Sequence, residues 1–253
     1  MPLLEDQLVE YRTLGFVNAG PLFDVDRLEA IGKEYDRLVT YEAQTLGNEK
    51  EGLFPYRAML NFRSPLLAEC ILEPRLLEMA VQLLGEDLRF WWDQGINKGP
   101  GSGSAIAWHQ DNGYQNGRTQ EFVSFWLALD DSCEENGGLQ VIPGSSRNGL
   151  REHVWQGVHA VIPEDSIPLE RAVALDANAG DVLIFSSLLV HQTVGNRTID
   201  RNRRAWVIQY CRADQRNVDT GEIYDNRPWA VRGGRFATSL ESERPFDLRR
   251  DRA

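Results

Sequence analysis

Lysine is almost missing from this chain: of its 27 basic residues only Lys33, Lys50 and Lys98 are lysines. With 38 acidic residues, a net charge of −11 and a pI near 4.9, the chain has no basic surface for nucleic acid or an anionic membrane, and neither is expected as a partner. The skew toward arginine is of the kind that GC-rich genomes produce. Cysteine is scarce too. Cys70, Cys133 and Cys211 are odd in number, widely separated and lack CxxC spacing, which excludes a disulfide framework and a thiolate zinc site. No apolar run approaches the eighteen or so residues that cross a bilayer, and the start, MPLLEDQLVE, is acidic where a signal peptide is basic. The expectation is a cytoplasmic protein. Repeats and low-complexity linkers are absent as well, so residues 1–253 read as one domain with a small-molecule ligand as the default partner.

What is present divides into three textures. Residues 1–87 read as mostly helical, with LEDQLVEYRTLGF first and then DVDRLEAIGKEYDRLVTYE, where Leu28, Ile31, Tyr35 and Leu38 recur at helical spacing. Ser64-Pro65 and Glu73-Pro74 open two more helices, since proline at the first helical position costs no hydrogen bond, and Gly85 stops the second. Before them QTLGNEKEGLFPYRAMLNFR, from Gln44 to Arg63, has no period and reads as a lid or a connector. From residue 88 to 211 short β-like runs follow one another between Gly, Pro and Asn, among them LRFWWDQGI, FVSFWLALD, GDVLIFSS and RAWVIQYCR. Many short strands at close spacing predict a sandwich or jelly roll. In FVSFWLALD, Phe125, Leu127 and Leu129 share one face, and Ser124, Trp126 and Ala128 share the other, which suits a cavity wall. The stretch REHVWQGVHAVIPEDSIP interrupts these strands, and residues 212–253 read as a covering loop and a charged tail.

Only four histidines occur. In WHQDNGY, strand alternation turns His109 and Asp111 to one side and Gln110 to the other. They are either a solvated edge histidine and turn aspartate or two metal ligands. His191 follows the strand GDVLIFSSLLV; alone it reads as a core histidine at a strand end, but with HxD upstream it supplies a third ligand. Two histidines and one carboxylate on one face of an octahedron bind Fe(II) and leave open positions for chemistry. Arg203 and Arg204 open the strand RRAWVIQY, where a buried guanidinium needs an anion such as a dicarboxylate. Alternation groups Arg203 with Ala205, Val207 and Gln209, and Arg204 with the bulkier row, so Arg203 is placed inside with Arg204 as the alternative one register away. His153 and His159 lie in the interruption and read as surface or substrate-loop residues. GPGSGS, from Gly99 to Ser104, is followed by a strand rather than a helix and reads as a loop at the cavity mouth, not a phosphate cradle.

WHQD, the strand with Trp126, ENGGLQVIPGSS, GDVLIF and HQTVGNRTIDRNRRAWVIQY together resemble the phytanoyl-CoA dioxygenase family over most of the chain. The resemblance implies a mainly β fold, a double-stranded β-helix (a cupin-like jelly roll) with N-terminal packing helices, and a dioxygenase that uses Fe(II), 2-oxoglutarate and O2. By position, His109, Asp111 and His191 match the family's iron ligands and Arg203 the arginine that grips the distal carboxylate of 2-oxoglutarate. Thr193 stands where the family often has a hydroxyl near that cosubstrate, and Trp126 and Gln94 match pocket-lining side chains. Ser146 replaces the histidine of the usual PGSH, and an insertion before Arg203 is about one residue longer than the common pattern, which keeps Arg204 an alternative. Iron halogenases of this fold lose the carboxylate; this chain keeps Asp111. Within the family the chain looks most like enzymes that tailor sugar-containing antibiotics, including those that close orthoester bridges. Phe54, Tyr56, Trp91, Trp92, Trp155, Tyr224 and Trp229 are the aromatics expected to meet such an oligosaccharide or glycosylated substrate. The alternatives are a hydroxylase of an acyl-CoA or other small metabolite, a zinc hydrolase or isomerase on the same three residues, and a non-catalytic metal-binding jelly roll.

Overall fold

The computed structural model describes residues 2–46, 57–102, 105–114, 119–157 and 159–241. Four α-helices precede most of the strands: α1 (Glu5–Leu14), α2 (Val25–Leu46), α3 (Pro65–Ile71) and α4 (Pro74–Leu84). Ser64 caps α3 by accepting from the Leu67 N–H at 3.3 Å, and Pro65 and Pro74 occupy the first turns of α3 and α4. Gly15 ends α1 in a left-handed turn at φ 85° that lets its N–H reach the Tyr11 carbonyl. Among the described residues no helix is long and apolar enough to cross a membrane.

Strands β1 (Phe16–Pro21), β2 (Arg57–Ala58), β3 (Leu88–Lys98), β5 (Val123–Ala128), β10 (Asp181–Ser186), β12 (Arg203–Arg212), β13 (Trp229–Arg232) and β14 (Arg235–Phe236) form one antiparallel sheet. Its order is β1-β10-β5-β12-β3-β13-β14, with β2 beside β3. A second sheet runs β4-β11-β6-β9, from β4 (Ile106–His109), β6 (Leu139–Val141), β9 (Val173–Leu175) and β11 (His191–Thr193). β7 (Val154–Gln156) and β8 (His159–Val161) make a separate hairpin.

The large sheet is covered on both faces, which is why its central strands read as nearly unbroken apolar runs. One face packs against the helices: Phe125, Leu127, Ile184, Trp206 and Ile208 share a core with Ile31, Tyr35 and Leu77. The other face, with Trp126, Ala128, Leu183, Ala205 and Val207, meets Leu139 and Val141 of the small sheet. Alternation therefore decides which residues see the helices and which see the interior of the roll. Truncating a helix-facing aromatic such as Phe125 to alanine would cost about 3–5 kcal/mol.

The structure departs from the reading of the sequence in several elements. β1 is a strand within the stretch expected to be helical, because the Gly15 turn frees Phe16 and Val17 to pair with Phe185 and Ile184 of β10, and β2 lies in the stretch read as a lid or connector, paired with Gly95 and Gln94 of β3. β13 and β14 add strands within 212–253, where Trp229 and Val231 pair with Arg89 and Leu88 at the start of β3. The interruption after Arg151 is itself the β7–β8 hairpin. Phe54, Tyr56 and the tail from 242 lie outside the described residues.

Candidate metal centre

β4 and β11 are neighbours in the small sheet, and His109 and His191 are direct cross-strand partners, so both rings turn to one face. The ring centroids stand 4.1 Å apart. β4 ends at His109, and Asp111 opens a 3-10 turn through Tyr114 rather than continuing the strand as alternation suggested. Buried Gln110 enforces that break: its side-chain amide donates to the carbonyls of Gly149 (2.9 Å) and Leu188 (2.6 Å). Asp111 Oδ1 thus comes within 3.8 Å of His109 Nε2 and 3.7 Å of His191 Nε2. The three ligand atoms lie within 4.8 Å of one another, the one such group among the described residues.

The surroundings fix how each ligand points. His109 Nδ1 donates to the Ala107 carbonyl (2.7 Å) and His191 Nδ1 to the Leu189 carbonyl (2.9 Å). A carbonyl only accepts, so the protons sit on Nδ1 and both Nε2 lone pairs face the cluster. Burial, and then the neighbouring His191, hold His109 well below the usual imidazole range, in the neutral form that ligates metals. Asp111 Oδ2 accepts from Ser124 Oγ (2.6 Å) and Gln209 Nε2 (3.0 Å), which leaves Oδ1 for the histidine side. An N2O set with one carboxylate oxygen presented suits Fe(II) and leaves coordination positions open.

The interior row of β12 that supplies Gln209 to Asp111 also holds an unanswered cation. Arg203, on the interior row of β12, has no exposed surface, and its Nε, Nη1 and Nη2 have no hydrogen-bond partner among the described residues. Its guanidinium lies 5.7 Å from the Trp126 ring centroid, and burial pulls its pKa down to about 10. Arg204 has the opposite environment: its side chain donates to both oxygens of Asp130 (2.9 and 2.6 Å) and to Asp36 (2.7 Å) on the helical side. Thr193 Oγ1 and Trp126 Nε1 are also buried without partners, and Gln94 shares the interior row of β3, accepting from Trp92 Nε1 at 3.1 Å. Unsatisfied donors around a buried guanidinium form a cradle of the kind a carboxylate fills.

The model of the family described as phytanoyl-CoA dioxygenase (PhyH) matches residues 11–205, a stretch that holds all three ligands and Arg203. The chain belongs to the phytanoyl-CoA dioxygenase family. Phytanoyl-CoA dioxygenase 1 of Oryza sativa subsp. japonica is 34% identical over 104 residues, which is 40% of this chain and 37% of that protein's own length. The structure of EvdO2 from Micromonospora carbonacea var. aurantiaca, complexed with 2-oxoglutarate, superposes with a TM-score of 0.75 at 22% identity, covering 88% of this chain and 96% of that one. SnoK, a non-heme alpha-ketoglutarate-dependent carbocyclase from nogalamycin biosynthesis, gives 0.70 at 24% identity, covering 84% and 85%. At these identities the two structures speak for the fold.

Three residues of this family member that bear on the site were not singled out from sequence: Ser124 and Gln209, which hold Asp111, and Lys98, which stands opposite Arg203. Their signal was a polar residue on an otherwise apolar interior row. His153 and His159 stand beside the centre without joining the ligand cluster: His153 Nε2 accepts from the Gln110 N–H (3.1 Å), and His159 Nδ1 meets the Tyr114 hydroxyl (3.4 Å). Tyr114 stacks edge-on against His109 (5.4 Å) and Trp155 (6.1 Å), and Trp155 is 60% exposed. Of the aromatics expected to meet substrate, Trp91 is instead helix-side core against Phe122 and Tyr224, and Trp229 lies under Arg89, because their strand positions face away from the centre. Gly99–Ser102 form a turn closed by Ser102 N–H on the Gly99 carbonyl, with Gly103 and Ser104 outside the described residues.

Proposed function

We propose that this member of the phytanoyl-CoA dioxygenase family is an Fe(II)- and 2-oxoglutarate-dependent oxygenase that oxidises a C–H bond of a small natural product. The observation that carries the reading is the fully buried guanidinium of Arg203, without a hydrogen-bond partner among the described residues, in the same roll as the His109/Asp111/His191 cluster. A zinc hydrolase on the same ligands has no need of it, and a structural jelly roll gains nothing from a buried charge without an anion. His109, Asp111 and His191 would hold the iron. Arg203 and Thr193 would take the distal carboxylate of 2-oxoglutarate, with Trp126 and Gln94 walling the pocket. Iron, cosubstrate and dioxygen supply C–H oxidation coupled to decarboxylation of 2-oxoglutarate to succinate. The chain's own share is orientation: Ser124 and Gln209 keep one oxygen of Asp111 for the metal, and the dry interior excludes competing water.

For the substrate, the reading is a sugar-containing antibiotic intermediate, oxidised by hydroxylation or by closure of a ring such as an orthoester. Its supports are the acidic surface, unsuited to the phosphates of an acyl-CoA, and the exposed Trp155 with Tyr114 beside the centre, an aromatic wall able to stack on a sugar face. The test is anaerobic loading with Fe(II) and 2-oxoglutarate, then exposure to air with deoxy-sugar oligosaccharides or an acyl-CoA, reading succinate release and product mass. Loss of two hydrogens from a glycoside marks ring closure; gain of one oxygen marks hydroxylation. Turnover of the thioester alone overturns the substrate reading, and failure to bind 2-oxoglutarate overturns the oxygenase.

A further inference from the structure

Lys98 ends β3 directly opposite Arg203. Cross-strand partners turn to one face with Cβ atoms about 5 Å apart, so two basic side chains share one dry volume. Lys98 has no exposed surface, and its Nζ donates to two uncharged acceptors, the carbonyls of Thr193 (3.0 Å) and Val194. The fold reserves this place for the lysine stem. Gly137, at φ 90°, passes so close that a Cβ there would stand 2.7 Å from Lys98 Cδ and 2.9 Å from the Val194 carbonyl oxygen.

The acids of the surrounding elements are engaged elsewhere. Asp130 is bound by Arg204, and Asp111 by Ser124 and Gln209. Glu134 and Glu135, on the turn before Gly137, pair at the surface with Arg197 and Arg201. Asp93 of β3 faces the helices and accepts from Trp206 and Leu60. Tyr35 of α2, which acts on Arg203 from that side, is kept a neutral phenol by burial. Two adjacent buried cations without an anion are costly, and arginine does not readily give up its proton. Burial first and Arg203 second bring the Lys98 pKa down to about 6. The bonding agrees, since a neutral amine has two N–H donors and two carbonyls take them. A third N–H, gained with a proton, has no partner among the described residues until a carboxylate lies against Arg203.

We propose that Lys98 is a positioning residue of the cosubstrate pocket that takes up a proton from solvent when a dicarboxylate binds, so that two cations face one carboxylate. This rests on the oxygenase reading above. It makes 2-oxoglutarate binding weaken as pH rises above the range where free Lys98 is protonated, by up to about tenfold per pH unit until the amine of the complex also loses its proton.

The test is titration calorimetry of the full chain loaded with Mn(II), with 2-oxoglutarate as the probe, at about pH 7.5 in buffers of differing ionisation enthalpy. The expected result is net uptake approaching one proton per ligand, with affinity falling several-fold between about pH 6.5 and 8.5. Lys98→Met should abolish the uptake, flatten the pH dependence and weaken binding about tenfold at the acid end, with Mn(II) affinity unchanged. Binding by the wild type without proton uptake, or uptake that persists in K98M, overturns this inference and leaves the oxygenase reading standing. Absence of any 2-oxoglutarate binding overturns both. Should K98M fail to fold, the proton count of the wild type still decides.

Discussion

Replacing Arg203 by methionine should move stability and cosubstrate binding in opposite directions. Burial lowers the Arg203 pKa to about 10, a shift worth roughly 3 kcal/mol against the charged form. For a cation whose folded pKa lies below its unfolded one, that cost is present in full below the folded pKa, and so throughout the neutral range. Methionine keeps much of the stem's packing and removes the charge, but it also forfeits the contact with Trp126, worth about 0.5–2 kcal/mol. The net expectation for the ligand-free protein is a gain of about 1–3 kcal/mol, or roughly 2–10 °C in Tm for a chain of this size. The same substitution removes a paired, charge-assisted contact to the distal carboxylate, about 3 kcal/mol or more, which is a hundredfold or more in Kd. Scanning calorimetry without ligand, followed by 2-oxoglutarate titration of the Mn(II) protein, reads both. Arg204→Met is the internal control: it breaks the bonds to Asp130 and Asp36 and should lower Tm while changing cosubstrate affinity much less. An R203M protein that melts several degrees below wild type and binds 2-oxoglutarate as tightly would refute the assignment of Arg203 as a charge held in wait for an anion.

Asp111→Ala should abolish tight Fe(II) or Mn(II) binding with the circular dichroism spectrum retained, because the carboxylate supplies the anionic ligand; full metal content in that variant excludes the site. Gln209→Leu leaves Asp111 Oδ2 with Ser124 alone and should weaken the metal about 10–100-fold in a chelator competition, although residue 209 is not itself a ligand. Asp93, fully buried with Oδ1 lacking a partner, is pushed up to about 7 by burial, so the folded state holds its proton more tightly than the unfolded one. Its contribution therefore declines as pH rises from about 4 to about 7 and is level above, a decline that Asp93→Asn should lack in denaturant titrations across that range.

How much of this was legible in sequence depends on which physical signal each part left. The jelly roll was legible because β5, β10 and β12 alternate on two covered faces, and Phe125 against Trp126 records that alternation directly. The HxD…H order was legible because so few histidines compete for the role. β1, the β13–β14 pair and the β7–β8 hairpin were not, since they make up the two ends of the large sheet or lie outside both sheets, where local pattern is weak and pairing is set by distant residues. The aromatics misled for a related reason. Sequence gives their type but not their facing: Trp91 and Trp92, adjacent on β3 at a break in its register with β12, both join the helix-side core, and Trp92 Nε1 donates to Gln94.

The interior row of the large sheet offers a sharper rule than residue type. Its positions should be apolar, since each sits in a dry layer between two sheets, and most are: Ile96, Trp126, Ala128, Leu183, Ala205 and Val207. The exceptions described above are Gln94, Lys98, Ser124, Arg203 and Gln209. Ser124 and Gln209 hold Asp111, Lys98 and Arg203 face each other across β3 and β12, and Gln94 lies between the two groups on β3. A polar side chain kept in such a layer costs stability unless something answers it. Within the chain Asp111 answers two of them, and nothing among the described residues answers the guanidinium of Arg203. On the proposed oxygenase reading the asymmetry separates two tasks on one sheet: one end of the row is completed by folding, through the bonds of Ser124 and Gln209 to Asp111, and the other would be completed by a bound anion.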